Sequence, residues 1–141
     1  MKTDAAVTIR QTPEKVFSYL TDVDKIQQWS PVANMKLITS GPVGVGSQFS
    51  QTVSILGKSF DTVTEVTTSN PPTSYAFKST SGPMAFEQRF TLTPIAEGTQ
   101  LDTVIEGEPG GLLKLAGPVV ASAVNKQLND QLNKLKQLLE S

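Results

Sequence analysis

Two amides stand where a strand-forming stretch should be apolar. Gln51 falls in step with Phe49 and Val53, and Gln88 in step with Phe86 and Phe90, so alternation points both amides toward the aromatic interior. A buried amide without a partner costs about 1–3 kcal/mol, so each needs backbone, water or a bound molecule. A one-residue bulge, or a place near the open end of a sheet, meets the same need without a ligand. Phe49, Phe77, Phe86 and Phe90 share inward faces with Val53, Tyr75 and Met84; such rings either fill an interior or line a pocket. Tyr75 carries a hydroxyl that can donate to a ligand carbonyl, or simply reach the surface from the core. Trp29 ends a short helical segment near the loop Ser40–Gly46, where it either touches a ligand or packs between helices with its N–H bonded locally.

The charged residues offer less. Glu87 and Arg89 fall on the face opposite Phe86 and Phe90, which makes them a solvated pair. Asp61 and Glu65 share a strand whose register is ambiguous. An inward Glu65 would be a buried carboxylate with a raised pKa, and so a general acid or base. Gly41, Gly44 and Gly46 lie in SGPVGVGSQF, but no GK[ST] follows and a strand comes next, so this is a loop and not a phosphate cradle.

The chain has no cysteine and no histidine, which removes thiol nucleophiles, imidazole catalysis and the usual zinc and haem ligands. Asp22, Asp24, Asp61 and Glu65 lack calcium-loop spacing, so no metal and no cofactor is expected. Twelve Lys and Arg balance thirteen Asp and Glu, giving no basic field for nucleic acid. No signal-peptide pattern opens the sequence and no apolar run reaches about 18 residues, so the expectation is a cytoplasmic protein without a membrane span. At 141 residues the expected organisation is one domain, 1–141. The oligomeric state is unknown from these features.

The elements that position these residues are readable from period and punctuation. Ala5–Arg10 alternates as a half-buried strand. Thr12 caps a helix opened by Pro13, with Val16, Phe17 and Leu20 as its stripe, and Asp22 caps a second helix that Ser30-Pro31 stops. From Val32 to Gly107, turn signals divide an alternating stretch into six further strands, with Leu56-Gly57 suited to a tight hairpin. Gly110–Gly117 is either a lid-like approach to the last element or an irregular first turn. Val120, Val124, Leu128, Leu132, Leu135 and Leu139 then repeat at three- and four-residue steps, predicting a helix from about Pro118 to Glu140, roughly 33 Å long. Such a helix covers the apolar face of the sheet.

Three segments, TPEKVFSYLTDVDKIQQWSP, NPPTSYAFKSTSGP and GGLLKLAGPVVASAVNKQLNDQLNKLKQLLE, resemble the SRPBCC or START-like superfamily. That superfamily includes pollen allergen-like proteins, lipid-transfer domains and polyketide cyclase/dehydrase-like proteins. The resemblance spans nearly the whole chain and implies an α+β helix-grip fold: a curved antiparallel seven-stranded sheet around a long C-terminal helix, with two short helices after the first strand. It also implies a cavity between helix and sheet for a small hydrophobic or amphipathic ligand, lined on the helix by Ala121, Val124 and Leu128. Three functions fit that scaffold: binding or transport of the ligand, a cyclase/dehydrase reaction in the same cavity, or a protein-interaction module. The shortage of inward ionisable residues leans toward binding without catalysis.

Overall fold

The computed structural model describes residues 1–109 and 117–141, so the reading of Gly110–Gly117 as a lid-like approach or an irregular first turn lies, but for Gly117, outside the described residues. Strand β1 (Lys2–Ile9) is followed by helices α1 (Pro13–Leu20) and α2 (Val23–Trp29). Six strands follow: β2 (Ala33–Leu37), β3 (Gln48–Ile55), β4 (Lys58–Asn70), β5 (Ser74–Ser81), β6 (Met84–Ile95) and β7 (Gly98–Pro109). Helix α3 (Gly117–Glu140) closes the fold. No helix among the described residues is long and apolar enough to cross a membrane.

The short helices start where their caps dictate. The Thr12 hydroxyl accepts from the Lys15 amide at 3.3 Å, with Pro13 in the first turn, and the Asp22 carboxylate accepts from the Asp24 amide at 3.0 Å. The two helices carry the chain from one edge of the sheet to the other, because the strand order is β1-β7-β6-β5-β4-β3-β2 and every neighbouring pair is antiparallel. From β2 onward the sheet is therefore a simple meander. In the β3–β4 turn Leu56 and Gly57 both have positive φ, 53° and 78°, as a two-residue primed turn requires.

Helix α3 lies over the sheet and is tied to both ends of β1. Asn125 Nδ2 donates to Thr3 Oγ1 and to the Asp4 carbonyl, and Lys136 Nζ donates to the Thr8 carbonyl. Its apolar stripe serves two clusters. Leu132, Leu135 and Leu139 pack with α1, α2 and the strand residues Ile9, Phe90 and Leu101. Val120, Val124 and Leu128 pack instead with Ile55, Met84 and Ile105, with Phe60 and Phe86 at their margin. A long helix that grips two separate clusters on one open sheet is the α+β helix-grip architecture.

Strand β4 departs from regular pairing at Val63/Thr64 and again at Val66/Thr68. Both irregularities lie on the β5 side, whereas pairing with β3 runs unbroken from Gln48–Glu65 to Ile55–Lys58, and that register settles which face of β4 is inner. Thr62, Thr64 and Val66 are the buried residues, and Glu65 faces away from the interior, where its Oε1 accepts from Gln48 Nε2 at 3.0 Å. Glu65 is thereby removed from the candidates for buried acid-base chemistry. Glu87 and Arg89 form a half-exposed pair at 2.7 Å on the outer face.

A cavity beneath Trp29

Between α2, the inner face of β3–β6 and the middle of α3 lies a cavity of about 50 Å³, set in about 500 Å³ of atom-free space that includes its opening to solvent. Fifty cubic ångströms is several times the roughly 10–15 Å³ one water needs. The lining draws together Trp29, Phe49, Gln51, Tyr75, Phe77, Gln88 and Phe90 of the residues expected from sequence. Met84, Val124 and Leu128 are buried in the second cluster and Phe86 packs against it; among the described residues none of these lines this cavity. Val53 and Ala121 are half-buried and also stand outside its wall.

The rings form a connected set. Trp29 meets Phe90 edge-on at 6.4 Å, Phe90 lies 6.5 Å from Phe77, and Tyr75 meets both Phe77 at 6.3 Å and Phe17 at 6.1 Å. The Trp29–Phe90 and Phe17–Tyr75 pairs are edge-to-face, a geometry that adds to what burial alone gives, while the two pairs through Phe77 are tilted.

The polar atoms in this wall are few. Gln88 is 7% exposed, and its Nε2 donates to Thr103 Oγ1 at 3.1 Å; that hydroxyl donates onward to the Arg89 carbonyl at 3.0 Å. One face of this amide is therefore fixed and its carbonyl oxygen is left over. Gln51, also 7% exposed, sits in regular register opposite Thr62, so no bulge turns it outward. Among the described residues its amide has no hydrogen-bond partner. The Trp29 indole N–H is buried and likewise without a partner, which sets aside the reading in which it bonds locally. An unmet buried donor costs about 1–3 kcal/mol.

Burial alone pushes the Tyr75 hydroxyl up to about 12. It therefore stays protonated, and a donor, throughout the neutral range. The sign for stability follows from linkage: the native state holds this proton more tightly than the unfolded chain, so the contribution is complete below pH 10 and is lost as pH rises from about 10 through about 12. Alkaline unfolding of the wild type should include a component of up to about 2–3 kcal/mol across that window. Tyr75→Phe should lack it. An unchanged alkaline slope in the variant would show that Tyr75 is not the titrating group.

Several lining residues lay beyond sequence reasoning. Leu20 and Ile26 belong to the helix stripes, Thr64 and Val66 lie on a β4 face whose mixed polarity did not mark it as inner, and Met35 sits on β2, whose pairing shifts between Ala33 and Lys36. Gln131 flanks the apolar stripe of α3, one turn from both Leu128 and Leu135, and its polarity hid it. Among the described residues no three Asp or Glu side chains come close enough to hold a metal ion.

Sheet, gripping helix and a mostly apolar cavity between them define a START-like helix-grip protein. The chain matches the family model described as polyketide cyclase / dehydrase and lipid transport over residues 1–140, and it belongs to that family. Among solved structures it is similar to TTHA0849 from Thermus thermophilus, at 17% identity and a TM-score of 0.85, covering 99% of this chain and 97% of that one. A START superfamily protein from Mycobacterium smegmatis is similar at 22% identity and a TM-score of 0.84, with the same coverage. Protein MLL2253 from Mesorhizobium loti shares 23% identity with a TM-score of 0.69, over 99% of this chain and 96% of that one. At such identities the likeness is one of fold. No curated protein matches the chain.

Proposed function

We propose that this protein binds a small, largely apolar molecule bearing a carbonyl, carboxyl or hydroxyl oxygen in the cavity beneath Trp29, and acts as a carrier or receptor for it. The observation that carries this reading is the buried, unpartnered indole N–H of Trp29 in the cavity wall. A ligand oxygen placed against it relieves a cost the folded chain otherwise bears. Gln51 and the hydroxyl of Tyr75 supply further polar contacts, and Phe49, Phe77 and Phe90 supply apolar burial at about 25 cal/mol per Å².

Binding is favoured over cyclase chemistry by the titration behaviour of the wall. Proton transfer at neutral pH works best with a group that titrates near neutrality, whereas among the described residues the ionisable side chain lining this cavity is Tyr75, near 12. Trp29 is also the sole tryptophan of the chain, so its emission reports directly on this site. Titration with uncharged eight-carbon ketones and alcohols should give a saturable change in that emission, and each compound should displace the others. Non-saturable, denaturation-linked changes with the whole series would defeat the proposal.

A further inference from the structure

A second void, of about 380 Å³, lies outside the first, between Gln28–Pro31 at the end of α2 and the α3 residues Gln127, Asp130, Gln131 and Lys134. Trp29, Ser30 and Gln131 belong to the walls of both. The two spaces are thus separated by a partition of three side chains, none of them charged.

Polarity reverses across that partition. Inside stand aromatic rings and a few neutral polar groups; outside stand two further amides, a carboxylate and an ammonium. The carboxylate is already engaged, because Asp130 Oδ2 accepts from Lys126 Nζ at 2.7 Å. Lys134 has no carboxylate partner among the described residues, so the groove carries an uncommitted positive charge. The unpartnered N–H of Trp29 belongs to the same partition.

We propose that the groove between α2 and α3 is the mouth of the cavity and the seat of an anionic head group. The ligand is then an amphiphilic monocarboxylate: its chain passes between Trp29 and Gln131 into the apolar interior, and its carboxylate stays at the mouth within reach of Lys134. The inference deepens the binding function proposed above and rests on it. A carboxylate held this way accepts charge-assisted hydrogen bonds, which are shorter and stronger than neutral ones. The lack of charge deeper in the wall gives such a ligand one orientation.

The test uses octanoate and 1-octanol as probes of equal chain length, with Trp29 emission and calorimetry as readouts, on the wild type and on Lys134→Glu. Lys134 is exposed, so the variant should fold and melt as the wild type does. Octanoate affinity is expected to fall about tenfold in the variant while 1-octanol changes less than about twofold. Octanoate binding to the wild type should also weaken as salt is raised. Equal losses for both probes, or no loss for octanoate, would overturn the head-group assignment while leaving the cavity itself in place. Binding of 1-octanol without octanoate would do the same. Failure of both probes to bind the wild type would instead remove the binding reading on which the assignment rests.

Discussion

Gly98→Ala is expected to destabilise the fold by about 3 kcal/mol or more, among the largest effects a single added methyl can have here. Gly98 opens β7 with φ at +141°, a region that residues with a Cβ hardly enter. A Cβ at this position would press into the Ile9 carbonyl oxygen and come within 2.9 Å of the Gln11 nitrogen and 3.0 Å of Arg10 Cα. All three are backbone atoms, so no side chain can rotate aside. They also belong to the corner where β1 turns into α1, which is held from two further sides: Thr99 Oγ1 donates to the Gln11 carbonyl at 2.8 Å, and Gln11 Nε2 donates to the Leu139 carbonyl at 2.7 Å. Moving the corner therefore strains β7 and the end of α3 together. Gly44 provides the control, since its φ is ordinary and a Cβ there meets nothing within 4 Å. Gly44→Ala should stay within about 0.5 kcal/mol of the wild type. Urea midpoints of the two variants decide the matter: if Gly98→Ala unfolds where Gly44→Ala does, the corner is not the fixed point described.

The same corner illustrates what a sequence carries and what it does not. Glu97-Gly98 reads as a turn because glycine permits positive φ, yet nothing in the local pattern announces that another segment's backbone passes against it. The helices were legible because their signals are local: Thr12 and Asp22 as caps, Pro13 in the first turn, and leucines every three or four residues in α3. Inward and outward faces were legible for β3 and β6, where alternation is unbroken from Phe49 to Ile55 and from Phe86 to Leu92. In β4 Phe60, Thr62, Thr64 and Val66 keep the same alternation, but threonines and valines stand on both faces, so composition does not say which face is inner; the two irregularities fall in its pairing with β5.

Whether an interior is filled or hollow lies further from the sequence still. Val124 and Phe90 both face inward, and no pattern distinguishes them. Val124 shares a cluster with Met84 and Ile105, while Phe90 borders the cavity beneath Trp29, and the volume left over at any such place depends on side chains summed across strands that are not neighbours in the chain. The family resemblance implies a cavity wall at Ala121, Val124 and Leu128, and the cavity beneath Trp29 is a distinct space farther along α3, against Gln131. Gln51 and Gln88 were the residues that pointed to it, since a buried amide within a run of aromatics has to be answered by something.

Trp29→Phe is expected to separate binding from folding in one substitution. Removing a buried tryptophan's N–H ordinarily leaves a partner unsatisfied and lowers stability; here, among the described residues, there is no partner to strand. The variant loses the benzo portion of the ring but also sheds an unmet donor, so its stability should remain within about 1 kcal/mol of the wild type. Phe90, which meets the indole edge-on at 6.4 Å, can keep a similar contact with the smaller ring. Affinity should respond differently. A ligand oxygen that was bonded to the indole would face only carbon, and an unpaired oxygen in a largely apolar site should weaken binding about tenfold, or 1.4 kcal/mol. Hydrocarbons of the same length, which have no oxygen to lose, should bind the variant about as well as the wild type. Calorimetry is the readout, because the variant has no tryptophan left to report. A loss of stability above about 2 kcal/mol with unchanged affinity for the oxygenated ligand would mean that the N–H serves the fold, and the ligand oxygen would then have to be placed against Gln51 or Tyr75 instead.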